Sequence, residues 1–478
     1  NTQSHSVTDL IGELKDGLTR LTIDAAKWRM PDDAVLQLGA KLPRSLQHLR
    51  LGLRRCTELT STGLLGAFKE LPENLDTLMV DFRFSMSINS LTYVGRTRAR
   101  PGGLATLCDS LPGSLKTLDL VFNRYVGDVD LVGGGCGPDD RPACGIFGSL
   151  PSGLERLRLD FRYASYLTDD GLGALGKCLP RSLVELTLKA TICPNVTGKG
   201  IEELAKGLPQ TLHTLSLDFS SCKKVDDGAL AGLGNNLPAD LRRLCVKASG
   251  CRAVGNAGVK SLLEKKLPLE SLELVLDKAD LLDDEGLSSI AGAVPKTLLE
   301  FSLSCRGCKA IGDGGVTNLC EGLAGGRDLS VLRLDFAGCG GSGSQGLRNI
   351  AVVDDGTGAA EFGGVGDRGV QAVGNLLREG LRKFELSVGN CTAVTDACLE
   401  SLINGLQTAR AALDTTGPAF LELAMQFKGC HAVKSSALRA CQDRLARDTA
   451  AKLSCRLNFN TKRIHGKIAM PAATMPAL

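Results

Sequence analysis

A unit of 29 residues recurs along most of this chain, and it constrains the fold more than any other feature. Its clearest copy occupies 212–238, and a shift of 29 residues in either direction returns the same pattern. Such a unit cannot bury its apolar face alone, so stacked copies must share one continuous core. A chain of 478 residues would otherwise suggest about three domains, but the repeat predicts a single solenoid.

Each unit predicts one strand followed by one helix. Leu215 and Leu217 belong to an apolar alternation that is typical of a strand with one buried face. Asp226 and Asp227 are typical helix openers, and Pro238 ends the helical stripe that follows them. The sequence therefore predicts an α/β fold, a curved horseshoe with a parallel inner β-sheet and outer α-helices.

The frame also predicts the domain organisation. Residues 1–17 are expected to form an N-terminal cap segment, 18–459 a solenoid of about 13 to 14 repeats, and 460–478 a C-terminal tail without the repeat. Four long intervals predict insertions near 84–103, 125–147, 351–367 and 407–418. Insertions of this kind lie in loops, where extra length costs little closure entropy and where function is often found.

The 18 cysteines do not follow the pattern of a disulfide framework. Eight of them share one repeat position just after the strand: Cys56, Cys193, Cys222, Cys251, Cys308, Cys339, Cys391 and Cys430. Equivalent positions stack one repeat apart, which predicts a ladder of buried thiols facing backbone groups in the turns. Free thiols in such number predict an intracellular reducing compartment, and the cytoplasm is the expected one.

The frame L-x-x-L-x-L followed by C-x-x-[LIV]-x-D-x-G-[LV] resembles a leucine-rich repeat. More narrowly, CTELTSTGLLGAF from Cys56 and CKKVDDGALAGL from Cys222 are similar to the cysteine-containing type in the repeat region of F-box proteins, with a ribonuclease-inhibitor-like repeat length. This resemblance implies the solenoid fold. The first 17 residues are too short to hold an F-box, so we expect a chain without one.

The sequence predicts no catalytic, metal-binding or cofactor-binding residues. Cys305 and Cys308 form a lone C-x-x-C with no second pair at zinc spacing, and the five histidines are scattered over distant units. Cys136 and Cys144 flank a glycine-rich loop and could form a disulfide or bind a metal together with ligands from elsewhere. We expect them to be ordinary loop residues. We therefore predict a protein that is not an enzyme and needs no cofactor.

Composition narrows the class of partner. The chain has 56 basic and 53 acidic side chains, a net charge of +3 and only 4% aromatic residues, which argues against nucleic acid as the partner. No apolar run is long enough to predict a membrane span. We expect protein partners with an acidic or mixed surface, and no small-molecule substrate.

Arginines concentrate on the predicted concave face of the first third of the sheet. The candidate partner-binding residues are Arg50, Arg83, Arg156, Arg158 and Arg162. Guanidinium groups favour carboxylate-bearing partners. A simpler alternative is that Asp81, Asp160 and Asp335 neutralise arginine neighbours in adjacent repeats.

These features predict a non-catalytic protein–protein interaction scaffold or structural subunit of a larger assembly. Binding would use the concave sheet and the loop insertions. The alternative is a substrate-receptor subunit of a ubiquitin ligase whose F-box lies on a missing or separate segment.

Overall fold

The apolar alternation of each repeat forms a short strand, and the strands join in sequence order. The computed structural model describes residues 14–84, 107–122, 126, 128, 147–148, 150–325, 329–340, 364–377, 381–411, 421–447 and 453–458. Within these ranges lies one sheet of 14 parallel strands, each paired only with its neighbours in sequence. The strands are β1 (Arg20–Asp24), β2 (His48–Gly52), β3 (Thr77–Asp81), β4 (Thr117–Val121), β5 (Arg156–Asp160), β6 (Glu185–Lys189), β7 (Thr214–Asp218), β8 (Arg243–Lys247), β9 (Ser271–Val275), β10 (Glu300–Ser304), β11 (Val331–Asp335), β12 (Lys383–Ser387), β13 (Leu421–Gln426) and β14 (Leu453–Asn458).

Helices connect the strands and pack side by side on the other side of the core. They are α1 (Asp32–Lys41), α2 (Ser61–Lys69), α3 (Asp169–Cys178), α4 (Gly198–Lys206), α5 (Asp227–Asn236), α6 (Asn256–Leu263), α7 (Asp284–Ala293), α8 (Asp313–Ala324), α9 (Asp367–Leu376), α10 (Leu399–Ala411) and α11 (Ser435–Arg447). Packed helices lie about 8–10 Å apart, whereas paired strands lie about 4.8 Å apart. The stack therefore curves with the sheet on its concave side.

The strand register follows the repeat frame. Leu186, Leu215 and Leu244 are aligned on consecutive strands, so each strand buries the same two positions. Leu217 is 1% exposed in the core, whereas its neighbour Ser216 lies half-buried on the concave face. The predicted fold class, an α/β leucine-rich repeat solenoid with an inner parallel sheet and outer helices, is confirmed.

The Leu-Pro pairs end the helices as expected. Leu42, Leu179 and Leu237 are C-caps with extended backbone, and a proline follows each of them. The proline carbonyl then accepts a hydrogen bond from the leucine three residues later, as in Pro238 to Leu241 at 3.3 Å. This turn leads the chain into the next strand.

Acidic side chains join most of the helix starts to the start of the next repeat's helix. Asp169 of α3 accepts from the Thr197 backbone N–H at 2.8 Å and from its hydroxyl at 2.6 Å, and Thr197 is the N-cap of α4. We call this contact the carboxylate staple. It recurs at the starts of other repeats through Asp32, Asp227, Asp284, Asp313, Asp367 and Asp396.

The staple explains the small residue of each helix. Gly200 and Gly258 occupy the third position of α4 and α6, inside the first turn, and Gly369 holds the same position in α9. A Cβ built on Gly258 would overlap Asp227 Oδ1, so the glycine leaves room for the carboxylate of the preceding repeat.

All eight repeat cysteines form the predicted ladder. Each Sγ donates to a backbone carbonyl of the preceding repeat, as in Cys222 to Ala190 O at 3.0 Å and Cys430 to Val388 O at 3.0 Å. Fifteen cysteines have described side chains, and all of them are free thiols. Cys136 and Cys144 lie outside the described residues.

The described ranges cover the predicted domain boundaries only in part. Residues 1–13 and 459–478 lie outside them, as does most of each predicted insertion. At the edges of two insertions the regular repeat continues. Asp367 begins α9 behind the N-cap Gly366, and α10 runs to Ala411.

Candidate interaction surface

The five predicted arginines lie on the concave side of β2 to β5. Arg50 and Arg158 occupy the middle positions of β2 and β5, three strands apart, a separation of about 14 Å at the usual strand spacing. Arg156 begins β5, whereas Arg83 and Arg162 follow the last residues of β3 and β5 by two positions. The arginines therefore spread over the width of the sheet and do not form a compact cluster.

Four of the five arginines lie within ion-pair distance of a carboxylate of the same chain. Arg83 donates through Nε and Nη2 to Asp81, with a shortest distance of 2.7 Å, and Arg162 donates in the same way to Asp160 at 2.8–2.9 Å. Each of these pairs spans two residues across the end of one strand. The alternative of neutralisation between adjacent repeats is observed for Asp81, which lies 3.6 Å from Arg54, and for Asp335, which lies 3.5 Å from Arg306. The ion pair of Asp160 is instead with Arg162 of its own repeat.

The other pairs cross from one repeat to the next. Arg158 Nη2 lies 2.7 Å from Glu185 Oε1, and Arg156 Nε lies 3.9 Å from Glu185 Oε2. Arg50 is exposed on β2, and no described carboxylate lies within ion-pair distance of it. Arg50 is therefore the predicted site residue whose charge is least compensated.

In these ion pairs the carboxylates lie deeper in the concave surface, and the guanidinium groups lie nearer the solvent. The Asp160 side chain is 10% exposed and that of Arg162 is 40% exposed. The Glu185 side chain is 22% exposed and that of Arg158 is 45% exposed. A partner approaching this part of the sheet would therefore meet guanidinium groups first, although the charges below nearly balance.

Asp119 lies at the middle of β4, inside this layer. Burial raises the pKa of its carboxyl above the ordinary value, while nearby Arg158 and Lys189 oppose the rise. Asp119 is aligned with Met79 on β3 and Arg158 on β5. The carboxyl adds to the acidic layer below the arginines.

A hollow that the sequence analysis did not predict lies farther along the same face. It measures about 360 Å³ and crosses β9 to β13. Four carboxylates and two guanidinium groups line it, from Glu273, Asp277, Arg306, Arg333, Asp335 and Glu385. Small residues at concave positions, such as Ser302, Ser387 and Ala424, leave the space open. Their small size is the feature of the sequence that could have indicated a hollow here. Around this hollow, carboxylates outnumber guanidinium groups.

The described residues contain no group of three or more His, Cys, Asp or Glu side chains placed to hold a metal ion. None of the described helices combines the length and apolar character needed to cross a membrane.

Comparison with known proteins supports the fold. No protein-family model and no curated protein matches this chain. Among solved structures, it is similar to a chain of the yeast Rad7–Elc1 complex, with a TM-score of 0.51, 18% identity, and coverage of 91% of this chain and 81% of that one. The leucine-rich repeat-containing protein LegL7 from Legionella pneumophila also matches, with a TM-score of 0.39, 16% identity, and coverage of 70% of this chain and 88% of that one.

Proposed function

We propose that this protein is a non-catalytic interaction scaffold or structural subunit of a larger assembly, and that it binds a protein partner through its concave sheet. The layered ion pairs on β3 to β6 carry the proposal. An approaching carboxylate can accept from the outer guanidinium groups without first displacing the buried Asp160 or the half-buried Glu185. Such surfaces favour partners with acidic or mixed character and are weak sites for a general polyanion.

We expect binding to depend on exposed ion pairs with the partner, and the affinity to depend on salt concentration. Exposed ion pairs contribute about 0–1 kcal/mol each, so affinity must come from several contacts together. Screening acts over about 10 Å at 0.1 M ionic strength, and affinity should therefore fall as salt rises. Arg50, Arg83, Arg156, Arg158 and Arg162 are the proposed contact residues.

The test is a double variant, Arg156→Glu with Arg158→Glu, assayed against a protein partner recovered by native pull-down. We expect at least a tenfold loss of affinity, provided that the melting temperature shows a folded protein. Arg243→Glu is the matched control, because Arg243 begins β8 at the position that Arg156 holds on β5. Unchanged affinity in the double variant would contradict the proposal. If deletion of 133–145 or 352–363 abolished binding in its place, recognition would belong to the insertions.

We also propose that the protein works in an intracellular reducing compartment, the cytoplasm by preference. The support is the cysteine ladder, whose thiols donate to carbonyls of the preceding repeat and would lose those bonds on oxidation. Counting free thiols in unreduced, denatured protein from its native source tests this. Blocked ladder cysteines would contradict it.

The alternative proposal is a substrate-receptor subunit of a ubiquitin ligase with the F-box on a missing or separate segment. One solved structure with a similar fold is a chain of the yeast Rad7–Elc1 complex, which makes assembly with a second protein worth testing. Co-purification of the chain with a ligase adaptor, followed by a ubiquitin-transfer assay, would favour this alternative. Absence of both adaptor and transfer would remove it.

A further inference from the structure

One backbone position is left-handed in nearly every repeat, and the type of residue that occupies it differs between repeats. The residue lies directly before the ladder cysteine or its replacement, and its φ is close to +60°. In several later repeats the residue is glycine, at Gly250, Gly307, Gly338 and Gly429. Glycine adopts this conformation without steric cost, so the backbone of these repeats is unstrained at this position.

Polar or charged residues hold the position in other repeats, at Lys27, Arg55, Ser221, Lys278 and Asn390, but three repeats place a large apolar or aromatic side chain there. Phe84, Tyr163 and Ile192 have φ of 62°, 68° and 60°. A bulky or β-branched residue is rare in this region, because its Cβ crowds the carbonyl oxygen. Each of these three residues therefore holds a strained conformation where glycine would not.

Burial does not compensate for this strain. Phe84 is 55% exposed, Tyr163 54% and Ile192 42%. We call these three residues the turn ridge. Tyr166 belongs to the same turn as Tyr163 and is 50% exposed. Strained residues that persist without core packing are more common at functional sites.

Backbone hydrogen bonds keep the ridge in line. Tyr163 N–H donates to Thr191 O at 2.9 Å, and Ile192 N–H donates to Ser220 O at 2.9 Å, so the two side chains lie on consecutive repeats. Phe84 lies two repeats before Tyr163, about 10 Å away at the usual strand spacing. Thr191 Oγ1, beside the ridge, is buried and has no hydrogen-bond partner among the described residues. The exposed side chains thus form a fixed row at one edge of the sheet.

Positive groups accompany the ridge. The Arg55 guanidinium lies 5.4 Å from the centroid of the Phe84 ring. Arg83 and Arg162 directly precede Phe84 and Tyr163, and in both pairs the guanidinium group is more exposed than the aspartate that it contacts. Aromatic residues and arginines in one patch are the composition typical of interface hot spots.

We propose that the turn ridge binds a protein segment that carries a carboxylate next to an apolar side chain. The apolar side chain packs against the exposed faces of Tyr163 and Ile192, and the carboxylate accepts from the guanidinium group of Arg83 or Arg162. The inference rests on the proposed scaffold function, since it names the partner chemistry and adds an edge to the concave surface.

The test exchanges the ridge for the residue that the later repeats use. A random-peptide display library is selected on the full chain, and selected peptides are measured against the Tyr163→Gly/Ile192→Gly double variant. We expect enriched peptides to combine Asp or Glu with Leu, Phe, Tyr or Trp, and to lose at least tenfold in affinity. Ser221→Gly is the matched control, because Ser221 holds the same left-handed position in the next repeat, with φ of 63°.

Stability separates binding from folding in this design. Glycine relieves the left-handed strain, so the double variant should melt within about 2 °C of the parent protein. A larger fall would assign the ridge a structural role and overturn the proposal. Peptides without acidic residues, a selection that enriches none, or affinities within threefold of the parent would also overturn it.

The outcomes also separate this inference from the scaffold function. Peptides that lose affinity for Arg156→Glu/Arg158→Glu but keep it for the glycine variant would retain concave binding and exclude the ridge. Peptides that are indifferent to both variants would contradict both proposals.

Discussion

At the scale of single residues, neighbours in one strand have opposite roles. Leu217 is buried between sheet and helices, and Ser216 faces the concave side beside Thr187 and Cys245 of the adjacent strands. Because side chains alternate across a strand, an error of one position in the register would exchange these roles.

We expect Leu217→Asp to unfold the middle of the array and Ser216→Asp to leave it folded. Burial of a leucine side chain contributes about 1.5–3 kcal/mol, and an unpaired buried carboxylate adds a further cost. Thermal melts of the two variants, followed by circular dichroism, measure the difference. Equal losses of melting temperature would show that the register is misassigned.

At the scale of the secondary-structure elements, the carboxylate staple sets how closely the helices approach. Gly258 in α6 faces Asp227 of the preceding repeat, whereas nothing lies within 4 Å of a Cβ built on Gly292 in α7. The two glycines belong to neighbouring helices of similar length, so they form a natural comparison.

We expect Gly258→Ala to lower the free energy of unfolding by about 1–3 kcal/mol, because the new methyl group would overlap the Asp227 carboxylate. Gly292→Ala should raise it by about 0.5–1 kcal/mol, since alanine is the better helix former and the space is open. Urea denaturation of both variants gives the two values. If Gly292→Ala also lowered the free energy of unfolding, steric contact with the neighbouring repeat would not explain why glycine is needed at Gly258.

The secondary structure was predictable from the sequence because the local signals agree. Asp226, Asp227 and Pro238 mark the two ends of α5. The layered ion pairs were not predictable in the same way. The sequence places Asp160 and Arg162 near each other, but which group lies outermost depends on the side-chain conformations in the assembled sheet. The strain at Ile192 also emerges only from the backbone, since the residue alone does not reveal a positive φ.

At the scale of the whole molecule, the cysteine ladder links stability to alkaline pH. Burial raises the pKa of the Cys56 thiol from about 9 to about 11, and that of Cys251 and Cys391 to about 12. A folded-state pKa above the unfolded value means that the contribution to stability is complete below pH 9. It is lost as pH rises through the folded pKa.

We expect the free energy of unfolding to fall between pH 8 and pH 10, by about 1.4 kcal/mol for each thiol whose folded pKa lies near 12. The Cys251→Ala variant should lose about 1.4 kcal/mol less over this interval than the parent protein does. Urea titrations at the two pH values, with both proteins kept reduced, measure this difference. Identical losses in the two proteins would show that Cys251 ionises as easily folded as unfolded.

The order of the strands also determines how the molecule bears tension. Every described strand pairs only with its neighbours in sequence, and β1 and β14 lie at opposite edges of the sheet. A pull on the two ends of the described chain therefore loads the repeats in series, so each interface carries the same force. Since the stability of a solenoid is a sum of nearest-neighbour terms, rupture should advance one repeat at a time from the weakest interface. Stretched in this way, the molecule would lengthen in steps and absorb work at each of them, as a chain of breakable links does.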